Sequence, residues 1–254
     1  MSRTLTPPSG PQPAVGERLR ARLKARVAER GIDPSTPLPP TAPEPVPALE
    51  AAQRRIPYDY REAVASHPHV AAWVKTIAGA STAPYADSLQ PHYGTAGRRM
   101  ITRGPSLLLW GPTGSGKTHE AFGAIRSLTA AGCAVPWTAT TAADLYGTLR
   151  TRTGPDPEET LRRYMQVPVL LLDDIGAAKT SEWTEEITFR LLNWRAQNRF
   201  PTLITSNLAP VREHGTDPRQ PVLRDRLGDR ILSRLSGMCT AIEINGPDRR
   251  FQRR

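Results

Sequence analysis

Short apolar runs alternate with longer amphipathic segments over the second half of the chain. Runs of about five residues are typical of buried strands, because they are too short to form helices. Five such runs occur, at Ser106–Trp110, Ala134–Thr138, Val169–Leu172, Thr202–Ser206 and Thr240–Ile244. The segments between them place apolar residues three and four positions apart, as helices with one buried face do. This alternation predicts an α/β fold in which helices cover both faces of a five-stranded parallel sheet.

The predicted helices follow and connect these strands. They occupy residues 119–132, 141–149, 158–166, 182–197 and 222–236. Gly132 ends the first helix, since glycine is favoured just beyond the end of a helix. One face of the fourth helix carries Trp183, Ile187, Leu191 and Trp194.

The residues before position 98 divide into three predicted parts. Residues 1–31 contain a disordered start and a basic helix at 16–30 with one narrow apolar stripe. That helix either docks on a partner or is simply solvated, and the sequence favours neither interpretation. Residues 32–57 hold eight prolines and predict a semi-rigid linker. Residues 58–97 predict a helical lead-in to the domain at 98–254, with a helix over 60–79 whose apolar positions are Val64, Val70, Trp73, Val74 and Ile77.

The net charge of +10 is concentrated at the two ends of the chain. Residues 1–30 carry seven Lys or Arg against two Glu, and residues 245–254 carry four Arg against one Asp. A polyanionic partner for these ends and a purely solubilising role both stay open. No apolar run approaches the length of a transmembrane helix and no secretory signal stands out, so we expect a cytoplasmic protein without a membrane partner. Cys133 and Cys239 lack metal-ligand spacing and are expected to be buried thiols.

A phosphate-binding loop follows the first predicted strand directly. It matches the pattern G-x-x-x-x-G-K-[ST] and consists of Gly111, Pro112, Thr113, Gly114, Ser115, Gly116, Lys117 and Thr118. The backbone N–H groups of such a loop and the start of the next helix both attract phosphate. Lys117 is expected to reach the β- and γ-phosphates of ATP, and the Thr118 hydroxyl to hold Mg²⁺. A chance match is disfavoured, because strand, loop and helix occur in the required order.

Polar residues end the third and fourth predicted strands. Asp173 and Asp174 follow one strand, and Asn207 follows the other. Ligands of open α/β sheets bind at the carboxyl ends of the strands. We expect Asp173 to hold Mg²⁺ through water, Asp174 to polarise the attacking water, and Asn207 to hydrogen-bond the γ-phosphate and that water. Roles as helix-cap and turn residues are the weaker alternatives beside a complete phosphate-binding loop.

Residues 98–250 resemble the core of AAA+ ATPases, and more closely its DnaC/IstB-like branch of helicase loaders and transposition proteins. The resemblance is carried by GPTGSGKT at 111–118, TAADL at 141–145, LLLDDIG at 170–176, SEW at 181–183 with NWR at 193–195, PTLITSNL at 201–208 and GDRILSRL at 228–235. It implies an ATPase that forms a homo-oligomer on single-stranded DNA and loads or remodels a replicative helicase. The alternatives are a transposition helper that acts on a transposase, and a nucleotide-switched adaptor that scarcely hydrolyses ATP.

The resemblance also implies roles for two groups of residues near the end of the chain. Arg234, with Arg230 as a second candidate, would complete the nucleotide site of a neighbouring subunit. Without the resemblance, an exposed arginine paired with Asp225 or Asp229 is the favoured interpretation. Arg250 would be a second sensor of the nucleotide, in a short segment that replaces the usual C-terminal helical lid.

Four arginines in the insertion at 141–166 are implied contacts to DNA phosphates. They are Arg150, Arg152, Arg162 and Arg163. For Arg162 and Arg163 the alternative is pairing with Glu158 and Glu159 on a solvated helix face.

Overall fold

The structure, a computed structural model of the chain, describes residue 25 and residues 54–81, 99–131, 133–134, 136–151, 154–212, 217 and 219–246. The chain divides into two compact units, Met1–Ala42 and Pro43–Arg254, and every element described below lies in the second. Apart from residue 25, the predicted basic helix lies outside the described residues, as do most of the predicted linker, Arg152 and Arg250. Within the described ranges, no helix is long and apolar enough to cross a membrane.

The centre of the second unit is a parallel sheet of five strands. The strands of the unit are β1 (Arg99–Met100), β2 (Ser106–Trp110), β3 (Cys133–Ala134), β4 (Trp137–Thr141), β5 (Val169–Asp173), β6 (Thr202–Ser206) and β7 (Cys239–Glu243). The five longer strands are hydrogen-bonded in the order β4-β5-β6-β2-β7, whereas β1 and β3 form a separate parallel pair. This order sets the carboxyl ends of β5, β6 and β2 side by side. The predicted α/β fold with a five-stranded parallel sheet is confirmed.

Helices cover both faces of this sheet. They are α1 (Pro68–Ala80), α2 (Lys117–Ala130), α3 (Ala142–Arg150), α4 (Pro157–Gln166), α5 (Glu182–Asn198) and α6 (Leu223–Met238), with a 3-10 turn at Tyr58–Tyr60. One hydrophobic core lies under α1 and α2, and a second lies under α3 to α6. The strand β5 contributes Leu171 to the first core and Leu170 and Leu172 to the second. Such a strand is apolar throughout because both of its faces are buried.

Strand β4, the second strand that the sequence predicts, begins three residues later than expected. We expected Ala134–Thr138, whereas β4 is Trp137–Thr141. Pro136 has no N–H group to donate, so it separates two short extended pieces, and Cys133 and Ala134 pair with β1 instead. The helix predicted from Thr141 begins at Ala142, because the Thr141 side chain caps it by accepting the N–H of Asp144 at 3.0 Å.

The helix of the lead-in also differs from its prediction over 60–79. It begins at Pro68, because proline is favoured in the first helical turn and disfavours helix before it. Residues 61–67 form turns and irregular backbone. Val64 is 55% exposed, so its predicted place on the apolar face of this helix is wrong. The remaining apolar positions are buried; they are Val70, Trp73, Val74 and Ile77.

A buried carboxylate holds the lead-in against α2. Glu120, in the first turn of α2, accepts hydrogen bonds from the backbone N–H groups of Ser66 at 3.0 Å and His67 at 3.1 Å. Ser66 and His67 directly precede α1, so the negative charge of Glu120 also interacts favourably with the positive N-terminal end of that helix. Gly123 permits the close approach, since a Cβ atom there would lie 2.4 Å from the carbonyl carbon of Val64. The lead-in therefore packs directly on the helix that follows the phosphate-binding loop.

Arg195 of α5 is fully buried and richly hydrogen-bonded. Its guanidinium donates to Thr202 Oγ1 at 2.8 Å and to the carbonyl oxygens of Tyr164, Met165, Val167 and Pro201 at 2.7–3.0 Å. Burial lowers the pKa of Arg195 to about 9, while these oxygens compensate for the lost water. The side chain thereby ties the end of α4 to the start of β6.

Replacement of Arg195 by methionine should lower the free energy of unfolding by about 3 kcal/mol or more, because it leaves several buried carbonyl groups unpaired. Urea denaturation followed by circular dichroism measures this loss. The matched control is Arg162→Met on the exposed face of α4, which should change stability by less than about 0.5 kcal/mol. Equal effects of the two substitutions would show that Arg195 has no special structural role.

Candidate functional site

The phosphate-binding loop joins β2 to α2 at the carboxyl edge of the sheet. Its glycines Gly111, Gly114 and Gly116 have φ angles of 147°, 82° and 104°, so the backbone curls back between strand and helix. Gly116 occupies the N-cap of α2, and Lys117 is the first residue of the helix. The unpaired N–H groups of a first helical turn carry partial positive charge. The loop therefore has the form of an anion-binding nest backed by the positive end of a helix.

The side chain of Lys117 lies over this loop. Its Nζ donates hydrogen bonds to the carbonyl oxygens of Gly111 at 3.0 Å and Pro112 at 2.8 Å. Only 6% of the residue is exposed. A buried ammonium group is costly unless it is hydrogen-bonded, so these carbonyls stabilise its charge beside the loop.

Asp173 joins the loop to two neighbouring strands. It is the last residue of β5, and its Oδ1 accepts hydrogen bonds from Thr118 Oγ1 at 3.0 Å and Thr205 Oγ1 at 2.6 Å. Thr118 lies in the first turn of α2, and Thr205 lies near the end of β6. The contact brings a hydroxyl and a carboxylate oxygen together, and hard oxygen ligands of this kind suit Mg²⁺. The sequence did not single out Thr205, although its place two residues before Asn207 is a usable signal.

Asp174 stands in a strained turn just beyond β5. Its φ angle is 57°, and its backbone N–H donates to Thr205 Oγ1 at 2.9 Å. Asn207 Nδ2 donates to Asp174 Oδ1 at 2.7 Å, so the two polar residues that follow adjacent strands are in contact. Burial raises the pKa of Asp174, the neighbouring charge of Asp173 raises it further, and Lys117 partly opposes both effects. A carboxylate with a raised pKa is a better proton acceptor than an ordinary aspartate.

A cavity of about 690 Å³ lies at this edge of the sheet. Five loop and helix residues line it: Thr113, Gly114, Gly116, Lys117 and Thr118. Asp173, Asp174 and Asn207 line the same cavity, so the structure brings the main predicted residues to one place. The other loop residues, Gly111, Pro112 and Ser115, are not among those that line it.

The lead-in also contributes to this cavity. Asp59 and Tyr60 line it, together with His119 and Thr141. The Tyr60 ring stacks on Phe122 of α2 with ring centroids 5.0 Å apart. Sequence reasoning missed Asp59 and Tyr60, because they lie more than fifty positions before the loop and match no phosphate-binding pattern.

Arg230 and Arg234 lie elsewhere, on the exposed face of α6. Arg230 is 3.6 Å from the Glu186 carboxylate of α5. The alternative of pairing with Asp225 or Asp229 is wrong for both arginines: Asp225 pairs with Arg212, and Asp229 pairs with Arg224. Neither Arg230 nor Arg234 is among the residues that line the cavity.

The arginines of the insertion have different surroundings. Arg163 pairs with Glu159 at 2.5 Å, as the solvated-helix alternative predicts. Glu158, however, forms a two-pronged pair with Arg190 of α5 at 2.7 and 2.8 Å, and not with Arg162.

Arg150 has an aromatic partner. It ends α3 and lies over the ring of Trp183, 4.7 Å from the ring centroid. Trp183 is 37% exposed, so the buried face that we predicted for α5 does not include it fully. Trp183 also packs edge-on against the ring of the buried Tyr146, with the ring centroids 6.2 Å apart.

No group of three or more His, Cys, Asp or Glu side chains in the described ranges is arranged to hold a metal ion by itself. Cys133 and Cys239 are free thiols; Cys133 is buried as predicted, whereas Cys239 is only partly buried.

A family model described as IstB-like ATP binding protein matches residues 94–254. An ATP-binding protein of an insertion sequence from Mycobacterium tuberculosis is 30% identical over 161 residues, which cover 63% of this chain and 61% of that protein. The replicative helicase loader DnaI of Bacillus subtilis is 30% identical over 96 residues, or 37% of this chain and 31% of that protein. The chain therefore spans less than two thirds of the length of either relative.

Solved structures share the fold at low sequence identity. The crystal structure of the DnaC helicase loader has a TM-score of 0.54 at 20% identity, and it covers 74% of this chain and 100% of that chain. The crystal structure of DnaI has a TM-score of 0.50 at 21% identity, with 80% and 92% covered. These likenesses show a shared α/β fold, and the family model spans well over half of the chain. The predicted resemblance is thereby confirmed: this chain belongs to the family of IstB-like ATP-binding proteins.

Proposed function

We propose that this protein binds ATP with Mg²⁺ and hydrolyses it to ADP and phosphate. The observation that carries the proposal is the hydrogen bond between Thr118 and Asp173, which joins the phosphate-binding loop to the carboxylate of β5. These two oxygens would hold Mg²⁺, and Lys117 and the first turn of α2 would bind the phosphates. The bound ion would neutralise charge on the β- and γ-phosphates.

Asp174 and Asn207 would activate the water that attacks the γ-phosphate. Asp174 would accept a proton from the attacking water, and its raised pKa favours this role. Asn207 donates to the Asp174 carboxylate at 2.7 Å and would orient it toward that water. In this arrangement Asp173 and Asp174 have separate roles, although they are adjacent in the sequence.

The site would be completed by a second copy of the chain. Arg234, or Arg230 one turn before it, would extend from a neighbouring subunit toward the transferred phosphate and stabilise the charge that develops there. The exposure of both arginines, and their absence from the cavity of their own subunit, support action on a neighbour. A homo-oligomer is therefore part of the proposal.

The assembly would form on single-stranded DNA. An exposed aromatic ring beside arginines is the usual means by which proteins bind single strands, since bases stack on the ring and phosphates pair with the cations. Trp183 would be that ring, with Arg150 and Arg162 as the phosphate contacts. Arg163 is a weaker candidate, because Glu159 already neutralises it.

The partner would be a replicative helicase or a transposase, and the protein would act in the cytoplasm. One observation favours the transposase: the match to the insertion-sequence protein covers 63% of the chain, against 37% for the helicase loader, at the same identity. The loading of a helicase stays the alternative, because the DnaC and DnaI structures share this fold.

Two substitutions test the proposed hydrolysis. Asp174→Asn should retain ATP binding and lose at least about a hundredfold in turnover, because proton acceptance is lost while the metal ligands stay. Lys117→Ala, the matched control, should lose ATP binding itself. Fluorescent-nucleotide binding and phosphate release measure the two effects separately. If Asp174→Asn hydrolyses ATP at the full rate, Asp174 is not the proton acceptor and the proposed mechanism is wrong. If the unchanged protein does not hydrolyse ATP at all, a nucleotide switch is favoured.

The salt dependence of DNA binding tests the proposed contacts. Each phosphate neutralised on a single strand contributes a slope of about −0.7 in log affinity against log salt concentration. Replacing Arg150 and Arg162 together with glutamine should therefore flatten the slope by roughly 1.4.

Two further variants sharpen this test. Arg163→Gln is the control and should change the slope little, since its charge is already paired. Trp183→Leu should weaken binding by about 1–3 kcal/mol for each stacked base at an unchanged slope. An unchanged slope in the double variant would exclude this surface and leave the basic chain ends as the contact.

A further inference from the structure

The two arginines implied in action on a neighbour share one aromatic ring. The guanidinium carbon of Arg230 lies 3.4 Å from the ring centroid of Phe189, and that of Arg234 lies 6.0 Å from it. Phe189 is a half-buried residue of α5, whereas both arginines lie on the exposed face of α6. The ring is thus fixed in the core on one side and bears two cations on the other.

This arrangement offsets an electrostatic conflict. Arg230 and Arg234 are four residues apart on one helix, and like charges at that spacing repel. The electron-rich face of an aromatic ring attracts a guanidinium group, most strongly at short range. Glu186, one turn before Phe189 on α5, places a carboxylate 3.6 Å from Arg230. Ring and carboxylate together hold Arg230 flat against α5 despite the second positive charge.

The backbone of α6 is adapted to the same contact. Gly228 has φ 78° and ψ 165°, which interrupts the helix immediately before the turn that carries Arg230. Only glycine adopts this combination readily. A Cβ atom at this position would lie 3.3 Å from Glu185 Oε1, so α5 and α6 meet closely here. The arginine-bearing part of α6 is therefore set against α5 by contacts at Glu185, Glu186 and Phe189.

We propose that Phe189 is a positioning residue for the arginines that complete the neighbouring subunit's nucleotide site. It holds Arg230 in a stacked position, and that fixed charge directs Arg234 outward to the phosphates of the neighbour. The inference rests on the proposed function, because it requires hydrolysis at a shared site. No residue of the phosphate-binding loop and no DNA contact takes part in it.

The substitution Phe189→Leu removes the ring and keeps an apolar side chain of similar bulk, whereas Phe189→Tyr keeps the ring. In the full-length protein, Phe189→Leu should lower kcat for ATP about three- to tenfold, the range expected for the loss of an exposed to partly desolvated cation–aromatic contact. KM, the affinity for a fluorescent ATP analogue and the melting temperature should change little. Phe189→Tyr should retain most of the activity.

Mixing of variants separates a positioning role from structural damage. Phe189→Leu subunits have an intact phosphate-binding loop, and Lys117→Ala subunits have an intact arginine, so a mixture of the two should regain hydrolysis. A mixture of Phe189→Leu with Arg234→Ala should not, because both then lack a well-placed arginine. Light scattering establishes that each pair assembles together.

Four outcomes would overturn the inference. If Phe189→Leu hydrolyses ATP at the unchanged rate, or gains nothing from Lys117→Ala subunits, Phe189 does not position the arginines. If Phe189→Tyr is as impaired as Phe189→Leu, the ring is not what matters. A separate reference mixture, Arg234→Ala with Lys117→Ala, tests the proposed function itself: if this mixture regains no hydrolysis, action on a neighbour fails and the inference fails with it.

Discussion

The Asp173 carboxylate is the contact on which the candidate site depends. It accepts hydrogen bonds from Thr118 at the start of α2 and from Thr205 near the end of β6, while its own backbone ends β5. One oxygen atom thereby fixes the relative positions of the loop and two strands. The strand order makes this possible, because β6 lies between β5 and β2 and their carboxyl ends meet at one edge. Residues of the loop, the two aspartates and Asn207 therefore line one cavity.

Patterns that are local in sequence predicted much of this arrangement. The apolar runs located four of the five strands, and the glycine spacing located the phosphate-binding loop, because each pattern depends only on neighbouring residues. The prediction for β4 was three residues too early, because Pro136 interrupts the extended segment. Which residues then pair with a neighbouring strand depends on the whole sheet and cannot be seen in the local sequence.

Features that depend on distant contacts escaped prediction. The lead-in packs on α2 through a hydrogen bond to Glu120 and a close backbone approach at Gly123. Both residues lie more than fifty positions later in the sequence. Periodicity could not indicate that Arg195 is buried, because arginine is rarely buried and its partners are backbone carbonyl groups of other elements. The same holds for Asp59, Tyr60 and Phe189, whose candidate roles depend on contacts with residues far away in the sequence.

The central claim is that each nucleotide site is completed by a neighbouring subunit, and the rate of ATP hydrolysis per subunit tests it most directly. The rate is measured with single-stranded DNA present, at protein concentrations from below to above the point at which light scattering detects assembly. A site shared between subunits predicts a rate per subunit that is negligible for the monomer, rises steeply as the assembly forms, and then stays constant. A rate per subunit that is the same for monomer and assembly would contradict the account, because each chain would then contain a complete site.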